Sequence, residues 1–467
     1  MGWLGCVPLG HSLFAVRQRP LRGQQLVPSA CHREQADANM RDFSSATHLG
    51  FTLRSYTRDM KEARTRLHEL RDQALPAMPA MLGGGADELL SLAVSAAEGK
   101  LISARPHQVH WQPGRALTVV YDASVAWAGQ RPVQERLVAM TGARLPDEAL
   151  VLEDGDVRVG LWALQQDPLL PGLTVALDAA AMHGLLTSLG VRPDGLSLRL
   201  RAYRPGRRAV VQAQADGHRL FVKVVRPRKA AALQKRHALL ARRLPVPHSH
   251  GWSDEHGLVV LEAMPGATLR EALGRLGTPL PDPRQIAALL DSIEAPSDAQ
   301  APPDLVAATV TYGELLGRIL PDLEPQLRRL IDGIGEAGRL GPVVPVHGDL
   351  HEAQLMVAQG QVVGLLDVDT VGLGHRVDDW ATMVGHLATR LDAAPKRIRP
   401  RIQAYAKQLL ALADAQVDPV TLRQRAAAVV LGLATGPFRV QTRAWPAETR
   451  QRVALAEQWL ASAQRIA

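Results

Sequence analysis

Two acidic groups on either side of a short hairpin constrain this chain more than any other feature. His347-Gly348-Asp349-Leu350-His351 precedes one apolar run, Leu355 to Val357, and Leu366-Asp367-Val368-Asp369 closes a second, Val362 to Leu366. Ala358-Gln359-Gly360-Gln361 between them has turn composition, so the segment reads as a β-hairpin. An antiparallel hairpin brings the start of its first strand beside the end of its second. Gln354 is therefore expected to meet Asp367, with Asp349 in the loop just upstream. A carboxylate base close to oxygen ligands suits phosphoryl transfer, which needs one group to orient a hydroxyl and another to hold Mg2+ against phosphates.

At 467 residues the chain exceeds one ordinary domain, and two or three are expected. A hydrophobic content of 46% supports sizeable cores, yet no apolar run reaches the roughly 18 residues of a membrane span. The two cysteines, Cys6 and Cys31, give neither a disulfide framework nor a zinc spacing, which fits a reducing, cytoplasmic setting. The net charge of +8 is spread without basic blocks and without interleaved aromatics, so neither nucleic acid nor membrane is an expected partner. Only 7 of the 54 basic residues are Lys, which sharpens the meaning of a Lys inside an apolar strand.

Residues 1–50 lack periodicity and read as disordered or as an overextended start, with Met40 an alternative initiator. Residues 54–75 carry charges at helical spacing, and a second helix is expected from Ala86 to Glu98. Strands are expected at Val109–Trp111, Leu117–Val125 and Val159–Ala163. Gln112-Pro113-Gly114-Arg115-Ala116 is echoed by Arg204-Pro205-Gly206-Arg207-Arg208-Ala209, each a Pro-Gly turn between β-rich runs. The echo fits a duplication and two ordinary hairpins equally. Further strands are expected at Leu198–Arg204, Arg208–Gln214, Arg219–Val225 and Leu258–Leu261, with a helix over about Lys229–Arg243. Beyond Gly266 the chain reads as mainly helical apart from the hairpin, ending in a helix near Thr449–Arg465.

His-Gly-Asp-Leu-His at 347–351, an amide five residues after Asp349, and Leu-Asp-x-Asp at 366–369 together resemble the aminoglycoside phosphotransferase and choline kinase family, over roughly residues 197–440. The resemblance implies an α+β, protein-kinase-like two-lobe fold, with a β-rich lobe at 191–264 and a helical lobe at 265–467. Residues 51–190 resemble the α/β cap that precedes the kinase core in some actinobacterial sugar kinases of this superfamily. The family implies ATP and Mg2+ as cofactors, and a hydroxyl acceptor that is an amino sugar, a sugar, an aminoglycoside or an amino alcohol. Asp349 is implied as the catalytic base, His351 as a loop or phosphate contact, and Asp367 as the metal ligand, with Gln354 and Asp369 beside it. Asp379 matches an acidic residue that steadies the catalytic loop, and His347 is expected to pack beneath that loop.

Lys223 lies in Leu220-Phe221-Val222-Lys223-Val224-Val225, where a charge is costly unless paired. It resembles the strand lysine that holds the α- and β-phosphates in kinases. Arg207 and Arg208 follow the turn expected over the triphosphate, and Glu262-Ala263-Met264 resembles the hinge whose backbone bonds adenine. Two departures stand out. The family has Asn where this chain has Gln354, one methylene longer, and Mg2+ demands close octahedral geometry at ~2.1 Å. Residues 228–243 contain no acidic partner for Lys223, and His237 falls near the expected place. These departures leave a nucleotide-binding pseudokinase as the alternative. The segment Asp282–Glu336 holds ten acidic and four basic residues, which suits either an acidic acceptor pocket or ordinary solvated helix faces. No P-loop, zinc-protease or nucleophile-elbow motif is present.

Overall fold

The computed structural model describes residues 15–17, 53–215, 217–296, 300–335 and 338–467, with 15–17 and 53–58 defined by backbone alone. The readings made for Cys6, Cys31 and Met40 lie outside these residues. Contacts divide the chain into two units: one holds Met1–Leu169, Arg318–Leu320 and Gly436–Thr449, and the other holds the remainder.

The first unit is built on an antiparallel sheet of order β1-β5-β6-β4-β3-β2. Its strands are β1 (Ala15–Arg17), β2 (Gly99–Gln112), β3 (Ala116–Trp127), β4 (Val133–Gly142), β5 (Leu150–Asp154) and β6 (Val157–Ala163). Central β3 buries Val119, Val120, Tyr121, Ala123 and Val125, and helices Met78–Leu82 and Ala86–Ala96 add Met81, Leu89 and Leu90. Tyr121 donates its hydroxyl to the Met81 carbonyl at 2.5 Å, so the one polar atom of a fully buried ring is satisfied.

The second unit opens with a five-stranded antiparallel sheet of order β10-β11-β9-β8-β7. These strands are β7 (Ser197–Arg204), β8 (Arg208–Ala215), β9 (His218–Val225), β10 (Ser249–Ser253) and β11 (Leu258–Glu262), with helix Ala230–Leu240 between β9 and β10. Alternation sets the two faces: Ala209, Val211 and Ala213 of β8 and Leu220, Val222 and Val224 of β9 are buried. Lys223 accordingly emerges on the opposite face of β9.

The helical lobe follows. Its small sheets are β12 (Ala267–Thr268) with β14 (Leu355–Ala358) and β15 (Gln361–Leu365), and β13 (Val343–Val346) with β16 (Gly372–His375). Helices Arg376–Asp392, Arg399–Gln416 and Pro419–Ala434 form its core around Trp380, Met383, Leu387, Ile402, Leu409 and Leu422. The Trp380 indole donates to Gln416 at 3.0 Å. This β-rich lobe joined to a helical lobe is the protein-kinase-like arrangement. The β14–β15 hairpin turns through Gln359 and Gly360, both at positive φ (50° and 77°), as a two-residue turn between twisted strands requires. Among the described residues no helix is long and apolar enough to cross a membrane.

Candidate active site

The loop after β13 is held from below by one buried carboxylate. Asp379, in helix Arg376–Asp392, accepts the His347 and Gly348 backbone N–H groups, each at 2.9 Å. Arg376 Nη1 lies 3.6 Å from the same group. Burial pushes the Asp379 carboxyl above its usual range, against the opposing pull of His347, the two N–H donors and Arg376. His347 is fully buried. Its Nδ1 accepts the Asp349 N–H at 3.3 Å, so the ring proton sits on Nε2, which donates to the Leu366 carbonyl at 2.9 Å. One imidazole thus ties the loop to the residue before Asp367. Gly348 has φ 79°, and a Cβ there would sit 2.7 Å from the Thr370 carbonyl, so only glycine fits.

The hairpin brings Gln354 and Leu366 together through the backbone: the Leu366 N–H meets the Gln354 carbonyl at 2.7 Å. Asp367 follows in the left-handed region, φ 53° and ψ 49°, and Val368–Thr370 forms a short 3-10 turn. Lys223 Nζ lies 2.9 Å from Asp367 and 2.6 Å from Asp369, and Arg208 Nη1 lies 3.3 Å from Asp367. The helix after β9 holds no acidic partner for the lysine, and the carboxylates come instead from the segment after β15. Burial opposes the Lys223 charge, but Asp369 and Asp367 outweigh it and the net shift is upward. Burial likewise opposes the Asp367 charge, yet Lys223 and Arg208 hold that carboxyl well below the usual range. His237 sits buried nearby, pushed down to about 4 by burial and by the Lys223 charge. Its neighbour Arg236 donates to the Asp369 carbonyl.

Asp349 faces this group from the loop. Burial, then the Asp367 charge, pushes its carboxyl up to about 6. His351 stacks on His386 with ring centroids 4.3 Å apart and planes 4° from parallel. Donor atoms of Asp349, His351 and His386 all lie within 4.8 Å of one another. Burial and the His386 ring push His351 down to about 3; burial and Arg270 push His386 down to about 4. Both rings are neutral near pH 7. His351 Nδ1 accepts the Ala353 N–H at 3.2 Å, so its Nε2 carries the proton, and the Gln354 amide lies 3.1 Å from that Nε2. The amide oxygen is the group able to accept this proton. Gln354 is thus folded back onto His351, while Asp367 and Asp369 gather on Lys223.

Of the two turn arginines, Arg208 reaches the carboxylates, and Arg207 remains exposed. Gly206, at φ 61°, shapes that turn, with the Arg207 N–H on the Arg204 carbonyl at 3.0 Å. At the hinge, the Ala263 N–H is taken by the Arg219 carbonyl at 2.9 Å, and the Met264 methyl lies where a side chain at Gly364 would go. A cavity of about 510 Å³ borders the hinge, lined by Gln214, His218, Arg219, Glu262, Met264 and Pro265. Glu262 also stands beside His248 and His250. Two residues escape sequence reasoning. His386 is 35 positions from His351, with no local pattern to link them. Glu352 is buried and paired with Arg270 at 2.9 Å, and only the polarity of the loop hints at it.

A phosphotransferase enzyme with a protein-kinase-like fold is the class defined by this lobe pair and its lysine–carboxylate group. Residues 199–415 match the family model described as the phosphotransferase enzyme family. Similar solved structures include a macrolide 2′-phosphotransferase from Brachybacterium faecium, 21% identical with a TM-score of 0.36, covering 59% of this chain and 97% of that one. An aminoglycoside-3′-phosphotransferase of type VIII is 19% identical with a TM-score of 0.38, covering 54% and 98%. A choline kinase from Cryptosporidium parvum Iowa II is 11% identical with a TM-score of 0.41, covering 60% and 95%. No curated protein matches the chain.

Proposed function

We propose that this protein is an ATP-dependent small-molecule kinase that transfers the γ-phosphate to a hydroxyl of an amino sugar, sugar, aminoglycoside or amino alcohol. The observation that carries the reading is Lys223 bonded to both Asp367 and Asp369, with Asp349 beside them raised to about 6. The same reading divides the chain into a cap-like segment at 51–190, a β-rich lobe at 191–264 and a helical lobe at 265–467.

Lys223 and Arg208 hold the phosphates, with Arg207 at the turn above, and the Glu262–Met264 backbone meets the adenine edge. A carboxyl poised near 6 is ionised at neutral pH yet basic enough to take a proton. Asp349 receives the acceptor hydroxyl proton as the new O–P bond forms and the bond to the ADP oxygen breaks. Neutral His351 and His386 flank the acceptor without repelling a cationic one. His347 and Asp379 keep the loop in register, which matters because positioning and electrostatics supply most of the catalysis in this chemistry. Two hard carboxylate donors fit Mg2+, so Asp367 and Asp369 would hold it, and Gln354 would join only on leaving His351. Bound there, Mg2+ would neutralise charge on the phosphate oxygens.

The acidic segment before the loop does not favour a cationic acceptor. Asp282 and Asp304 cap helix starts, while Glu294, Asp322 and Glu324 pair with Arg243, Arg450 and Arg328. The pseudokinase reading draws on the Gln354 amide being turned to His351. Transfer of radiolabel from [γ-32P]ATP across a panel of sugars, aminoglycosides and amino alcohols separates the two. The kinase reading expects one labelled acceptor class, abolished in Asp349→Asn with ATP affinity retained. ATP binding with no labelled acceptor would favour the pseudokinase.

A further inference from the structure

Away from the lysine–carboxylate group, the hinge carries a second cluster of ligand-type side chains. Donor atoms of His248, His250 and Glu262 all lie within 4.8 Å of one another. The backbone explains why they converge. The Glu262 N–H bonds the His248 carbonyl at 2.8 Å, so the two residues sit opposite each other across the β10–β11 ladder. The register then shifts between Ser249 and Gly251, and His250 is the extra residue of this bulge. Ser249 faces the other way, bonding Gln234 of helix Ala230–Leu240. Alternation places His248 and His250 on either side of Ser249 on the one face that carries Glu262, and the bulge leaves His250 unpaired with β11. Gly251, at φ 153°, takes up the irregular backbone.

His250 Nε2 is buried with no hydrogen-bond partner, an unmet cost for a purely structural residue. The His248 and His250 rings meet edge to face, 5.2 Å between centroids. Ligands at ~2.1 Å on tetrahedral positions stand roughly 3.4 Å apart, a spacing that small rotations of these side chains reach.

The geometry points to a divalent transition-metal site at the hinge, with His248, His250 and Glu262 as its three protein ligands. Two imidazoles and one carboxylate select zinc-like ions over Mg2+, which prefers oxygen alone. A bound ion ties the first hinge residue, Glu262, to β10. The site shares Glu262 with the proposed adenine hinge but lies away from the lysine–carboxylate group, and its assignment does not rest on phosphoryl transfer.

Calorimetric titration of the full chain with Zn2+, and with Mg2+ for comparison, tests the assignment. Wild type should take up Zn2+ at this site. His248→Gln and His250→Gln, which keep side-chain bulk, should weaken it by more than the roughly tenfold that loss of an outer-shell partner costs. His351→Gln and His386→Gln, in the other three-donor group of the described residues, should leave that site intact. Amide exchange of β10 and β11 in the metal-free variants reports that the ladder persists. The assignment is overturned if wild type binds no Zn2+, if binding survives both hinge variants, or if only the His351 and His386 variants abolish it.

Discussion

Asp379→Ala removes the group on which the catalytic loop hangs. The backbone N–H groups of His347, buried, and Gly348, part-buried, lose acceptors at 2.9 Å. An unsatisfied buried donor costs about 1–3 kcal/mol, so the alanine variant should lose roughly 2–6 kcal/mol locally. Asp379→Asn keeps one oxygen and presents an NH2 to the second N–H, so roughly 1–3 kcal/mol should go. The loss is best read where it falls. Amide exchange at His347 and Gly348 should accelerate, and ~2 kcal/mol corresponds to roughly thirtyfold, with Ala exceeding Asn. Exchange at both amides within about twofold of wild type in both variants would refute the reasoning, because the carboxylate would then not be what holds the loop.

Asp349 carries two further expectations. Its raised carboxyl is protonated below about 6 and ionised above, so kcat/KM on a confirmed acceptor should rise with pH through that value; a flat profile from pH 5 to 8 would exclude Asp349 as the proton acceptor. A folded value above the unfolded one stabilises the fold at low pH, and this contribution is lost as pH rises through about 6. Asp349→Asn should therefore be about 1–3 kcal/mol more stable than wild type at pH 7, the advantage shrinking as pH falls from about 6 to about 4 and absent below; chemical denaturation across that range checks it. Lys223→Met strips the shared cation from Asp367 and Asp369. Because all three side chains keep some exposure, the loss should fall somewhat below the ~3–5 kcal/mol of a fully buried pair, and no measurable change at pH 7 would contradict it. Gln354→Ala should leave the Mg2+ dependence of nucleotide binding near wild type while Asp367→Asn removes it; the reverse order in calorimetry would make Gln354 the working ligand.

Local patterns carried much of the kinase-like unit. The β14–β15 hairpin was legible because its turn composition and its apolar runs agreed, and β7, β8, β9 and β11 fell within a residue or two of expectation. Long, polar β2 was largely missed beyond Val109–Trp111. It is an edge strand with register shifts near Ser103 and Pro106, where neither burial nor proline restriction imposes a clean alternation. β4, β5 and β10 also escaped, the last because Gly251 and its bulge interrupt any period of two. At the site, the motif residues gather, but their side-chain partners do not follow from spacing. Spacing places Gln354 beside Asp367, whereas the ladder pairs the Gln354 backbone with Leu366 and the Gln354 side chain meets His351. The next helix offers Lys223 no acidic partner, and the carboxylates that pair with it arrive from residues 144 and 146 positions away. Pairings at that separation are tertiary choices, and one-dimensional periodicity does not encode them.

The left-handed backbone at Asp367 has a consequence for how such a protein can vary. At φ 53° and ψ 49° only Gly, Asn and Asp sit without appreciable steric penalty. Of these three, Asp alone supplies a full negative charge to Lys223. Conformation thus narrows the alphabet at this position before chemistry selects from what remains. An alanine here would perturb the chain trace and the charge together, and its phenotype would assign neither. Asparagine separates them, and glutamate, with the right charge on an ill-suited backbone, is the complementary probe.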